Sequence, residues 1–187
     1  MAYKFIVLTL FLLTSSATYA DVSPEKTLAL QKLQQAINAY GDKHDRCNQK
    51  KEENPLTKST LASLRLLPEE ALRKGIMYLS EKAFHRCLQP ERGELAERLL
   101  QTQSWPEDKD KTFDHLMLLT MSSTRGLVFD LSIVNTEVLF YQLSTQQQQA
   151  LLSIPAMQSP FEPMLYWEAA TAPIDRSKGS NKDKQEK

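Results

Sequence analysis

Helix breakers at Asn54-Pro55, Gln89-Pro90, Trp105-Pro106, Arg125-Gly126 and Ile154-Pro155 cut this chain into lengths that suit helices and little else. Only five glycines occur in 187 residues. No alternating apolar and polar run is closed by an Asn-Gly or Asp-Gly turn, so strands are hard to place. Helix starts are marked more clearly. Ser23-Pro24-Glu25 sets a capping serine before a proline at the first helical position, Leu67-Pro68-Glu69-Glu70 repeats proline followed by acid, and Ser144-Thr145-Gln146-Gln147 fits a capping box. These signals predict helices over 24–50, 57–66, 68–89, 91–103, 107–122, 127–153 and 163–171. The expected fold is all-α: a single-domain irregular bundle of about five to seven helices, stapled by one disulfide.

Two of these helices declare a packing face. Leu30, Leu33, Ile37, Tyr40, His44 and Cys47 recur at spacings of three and four, a stripe that crosses Gly41 without losing register. Leu72, Ile76, Leu79, Ala83 and Cys87, with Phe84 and Leu88, form the apolar face of 68–89. Segment 127–143, LVFDLSIVNTEVLFYQL, is apolar nearly all round and is expected to be the central, most buried helix. Phe129, Leu131 and Ile133 also alternate, so a strand is the other reading there.

The first twenty residues, MAYKFIVLTLFLLTSSATYA, place Lys4 before an apolar run from Phe5 to Leu13 and end in small residues. That is the pattern of a secretory signal peptide cleaved between Ala20 and Asp21, and the run is far short of the ~20 apolar residues that span a bilayer. Residues 21–172 then form the all-helical domain, and 173–187, PIDRSKGSNKDKQEK, read as a disordered polar tail. The chain has 23 basic and 23 acidic side chains; losing Lys4 leaves a formal charge of −1. That balance argues against nucleic acid or an anionic membrane as partner. A periplasmic or secreted location follows, with no membrane insertion of the mature chain.

Cys47 and Cys87 are the only cysteines, and each follows a histidine, His44 or His85. In an oxidising compartment the economical reading is a disulfide between them. A Cys2His2 metal site is the alternative. On a helix His44 and Cys47, three apart, share a face, whereas His85 and Cys87, two apart, point about 200° from each other. At most three of the four then reach one ion. Cys-x-x-Cys, Cys-x-x-Cys-His, His-Glu-x-x-His, Gly-x-Ser-x-Gly, Glu-x-x-His and a phosphate-binding glycine loop do not occur. Ser23-Pro24-Glu25-Lys26 matches Ser-x-x-Lys without its partner motifs and reads as a helix cap. No cofactor is implied, and the chain reads as a non-enzyme.

Two features remain as candidate sites. Asp130 and Glu137 stack seven apart in the most apolar segment, either as a satisfied polar strip or as an acid–base pair, with His115 or Arg125 as candidate partners. Segment 155–173, PAMQSPFEPMLYWEAATAP, concentrates aromatic and apolar side chains between prolines. It reads as a strap docked on the bundle, with Phe161, Met164, Tyr166 and Trp167 as candidate partner-binding residues where exposed. Leu143-Ser144-Thr145-Gln146-Gln147 also resembles, in one copy and with Ser for Thr, the Leu-Thr-x-x-Gln motif of small helical periplasmic chaperones of the Spy and CpxP type; a capping box produces the same letters. The functional expectation is an exported helical protein that binds an envelope protein or an unfolded client. The alternative is a small-molecule, metal or haem carrier using the bundle interior, with His44, His115 or methionines as ligands.

Overall fold

The computed structural model describes residues 24–103 and 132–173. The expected leader, the helix at 107–122, the residues His115, Arg125 and Asp130, and the tail from 174 lie outside the described residues. The elements in order are α1 (Pro24–Glu53), α2 (Lys58–Leu64), α3 (Glu69–Leu88), α4 (Glu91–Gln103), α5 (Ser132–Tyr141), α6 (Thr145–Leu152), a 3-10 turn (Pro155–Gln158) and α7 (Pro163–Thr171). No strand occurs among the described residues, and no described helix is long and apolar enough to cross a membrane.

Local chemistry explains the boundaries. Thr57 caps α2 by accepting from the Thr60 backbone N–H, and Pro68 caps α3 through its carbonyl, which accepts from Leu72 N. Glu69 and Glu70 occupy the first turn of α3 and His85 and Arg86 the last, each sign at the end of the helix dipole that favours it. The helix expected over 127–153 is two helices in its described part. Ser144 Oγ accepts from Gln147 N, and the Gln147 side chain accepts in return from Ser144 N. This capping box starts α6 afresh and leaves Gln142 to Ser144 as a turn.

α3 is the central helix. It packs against α1, α5, α6, α7 and the 3-10 turn, and buries Ala71, Leu72, Gly75, Ile76, Tyr78, Leu79, Ser80, Ala83 and Leu88. At Gly75 a Cβ would collide with the Leu151 side chain, so the close approach of α6 depends on the missing methyl. The expectation that 127–143 forms the most buried helix is therefore corrected over its described part, 132–143; residues 127–131 lie outside the described residues. In α5 only Phe140 is fully buried, because that helix lies on α3 along one face.

The strap reading holds in its packing. Ile154, Met157, Phe161 and Tyr166 are buried, and Ser80 Oγ donates to the Phe161 carbonyl. Asn54, just past α1, donates to the carbonyls of Ala156 and Pro160, and Lys51 pairs with Glu162 at 2.7 Å. The strap thus runs from the end of α1 across α3.

Two clusters of buried side chains result. The larger draws on α2, α3, α5, α6, the 3-10 turn and α7, and holds Tyr78, Phe140, Phe161 and Tyr166. The smaller joins Leu33, Ala36, Tyr40 and Cys47 of α1 to Leu88 and to Leu95 and Leu99 of α4. Glu91, at the start of α4, pairs with Lys43 at 3.3 Å, so α4 runs back antiparallel along α1. Cys47 and Cys87 are bonded, with Cα atoms 6.0 Å apart. Simple up-and-down helices of the expected lengths would set them at different heights. The direct contact of α1 with α3 brings them together all the same.

Candidate functional surface

Helix α5 turns polar as well as apolar side chains toward its neighbour and leaves apolar ones in solvent. Ile133, Thr136, Glu137 and Phe140, spaced as one helical face, point toward α3 and are partly or fully buried. Val134, Val138 and Tyr141, on the adjoining flank, are 49%, 57% and 61% exposed, and Leu139, on the other flank, is 40% exposed. Burial of large apolar side chains is worth about 1.5–3 kcal/mol each, so leaving this row in solvent is a cost that packing elsewhere offsets.

Polar contacts hold the helix in this orientation. Tyr78 Oη donates to Glu137 Oε1 at 2.9 Å, and Thr136 Oγ1 donates to Glu81. Lys74 Nζ reaches Gln142 Oε1 at 3.1 Å and pairs with Glu70 at 2.8 Å. The Tyr78 ring lies 4.6 Å from that of Phe140, and Lys82 Nζ sits over the Tyr78 ring, 5.1 Å from its centroid. Burial, then the hydrogen bond to Glu137, pushes the Tyr78 phenol well above its ordinary range. The hydroxyl is therefore a fixed donor at any physiological pH. Glu137 acts here as the acceptor of an interhelical hydrogen bond, the polar-strip role; its proposed companion Asp130 is outside the described residues.

Of the four partner-binding candidates on the strap, Phe161 and Tyr166 are corrected. Both are fully buried, with ring centroids 4.5 Å apart, because they pack into the larger cluster and not outward. Trp167 is partly buried against the larger cluster. Met164 is 53% exposed, together with its neighbour Leu165. The Tyr166 hydroxyl is buried without a hydrogen-bond partner. α7 is anchored to α2 instead by Arg65 Nη2, which donates to the Ala169 carbonyl.

The histidine and cysteine residues separate as helix geometry requires. Both sulfurs are spent in the disulfide, so neither is available as a thiolate ligand. His44 lies edge-on to Phe84 at 5.3 Å, with its Nδ1 3.1 Å from the Asn48 amide. His85 is instead 2.6 Å from Arg92 Nη1 through its Nδ1. Among the described residues no three His, Cys, Asp or Glu side chains are placed to hold one metal ion. A shallow depression lies at the start of α4, beside Gln89, Pro90, Glu91, Gly93 and Glu94. There the Glu91 carboxyl accepts from its own backbone N–H and is held below the usual carboxylate range by that bond and by Lys43 and Arg46.

The exposed row of α5 is what sequence reasoning missed. Helical spacing carries part of the signal: a helix that sets Thr136, Glu137 and Phe140 on its buried face leaves Val134 and Val138 off it. No protein-family model matches this sequence, and no curated protein or solved structure matches it significantly.

Proposed function

We propose that this is an exported, non-enzymatic binding protein that engages an envelope protein or an unfolded client through the outward face of α5. The observation that carries the reading is the row Val134, Val138 and Tyr141, each about half exposed or more on a helix that turns Thr136 and Glu137 toward α3. An apolar row of this kind gains free energy when a partner removes it from water, and tyrosine is a residue type enriched in such contacts. Met164 and Leu165 of α7 supply further exposed apolar surface, the methionine being suited to partners of varied shape. Export rests on the N-terminal leader, and a disulfide fits an oxidising compartment such as the periplasm.

The test has two readouts. Light scattering follows aggregation of reduced insulin with the purified protein present, and a photo-crosslinking residue at position 138 reports adducts in the native envelope. We expect suppression of aggregation or a discrete adduct, either of which is lost in Val134→Asp/Val138→Asp. The paired change should leave the circular dichroism spectrum intact and stability within about 1 kcal/mol, since both sites are half exposed. No suppression and no adduct, or activity equal in the variant, overturns the reading.

A further inference from the structure

We draw no further inference here: the strongest candidate, the exposed apolar face of α5 with Val134, Val138 and Tyr141, belongs to the partner surface already proposed, and nothing in the structure shows what covers it.

Discussion

The larger cluster and the α1–α4 pair solve the same problem with different means. Around α3, fourteen buried side chains from six elements interlock, four of them aromatic. Among the described residues the α1–α4 pair shares six, with Leu88 of α3 as a seventh, and Tyr40 is the single fully buried aromatic there. A pair of helices has one seam and cannot bury much more. What the smaller region has instead is a covalent tie at Cys47 to the end of α3. The difference teaches that the disulfide secures the smaller of the two clusters, and that the two regions should respond differently to the same insult.

The sharpest way to break the comparison is to remove the tie. Closing a loop of 40 positions is worth about 4 kcal/mol by the chain-entropy estimate. Cys47→Ser with Cys87→Ser should lower stability by up to that amount in urea unfolding. Hydrogen exchange should quicken in α1 and α4 before α3. Equal acceleration in all three helices would show that the regions are one cooperative unit.

Next in size is a cavity in the larger cluster. Phe161→Ala should cost about 3 kcal/mol or more, because the ring is fully buried against Tyr166. Here the order of exchange should invert, with α3 and α7 opening at least as readily as α1. A loss under about 1 kcal/mol would mean that the strap collapses into the space and that its packing is not specific.

The α3–α5 contact gives a pH-dependent test. Tyr78 has its phenol raised in the folded protein, so above the ordinary phenol value of about 10 the unfolded chain loses this proton while the folded chain keeps it. Stability should then fall as pH rises beyond about 10. Tyr78→Phe should cost about 1–2 kcal/mol at neutral pH through the lost bond to Glu137. It should also flatten the alkaline limb; an unchanged limb would assign that slope to the other tyrosines.

The smallest effect concerns Tyr166, whose hydroxyl is buried and unpartnered. Tyr166→Phe removes a desolvated group and nothing it binds. It should be neutral or stabilise by up to about 1 kcal/mol in thermal unfolding. A loss of more than about 1 kcal/mol would show that the hydroxyl has a bonding role that its surroundings do not reveal.

Much of the helical layout was legible because punctuation is local. Pro68, Pro90 and Pro163 mark starts that the structure places within a residue or so, and α7 keeps its expected bounds. The stripe from Leu33 to Cys47 and the face from Leu72 to Leu88 are turned inward as their spacing requires, with Ile37, His44, Phe84 and Cys87 partly buried and the rest buried. The disulfide was legible from cysteine count and compartment alone. The candidate surface was not. Phe161, Met164, Tyr166 and Trp167 stand within seven positions and are chemically alike as partner contacts, yet burial separates them. Their fate depends on which way each turn of the strap faces α3.

By itself the chain determined an all-α protein, its helix starts, the two packing stripes and the pairing of its cysteines, since each follows from backbone restriction, helical period or a covalent bond between two available groups. Only the tertiary structure decided which apolar helix lies at the centre. Segment 132–141 is the more hydrophobic of the two contenders, but α3 is the one surrounded. Hydrophobicity sets how much a helix gains from burial. The number of neighbours that connections and close approaches such as Gly75 against Leu151 can bring around it sets whether burial happens. For α5, polar anchors on Tyr78 and Glu81 choose the face that meets α3, and the valines are left outside.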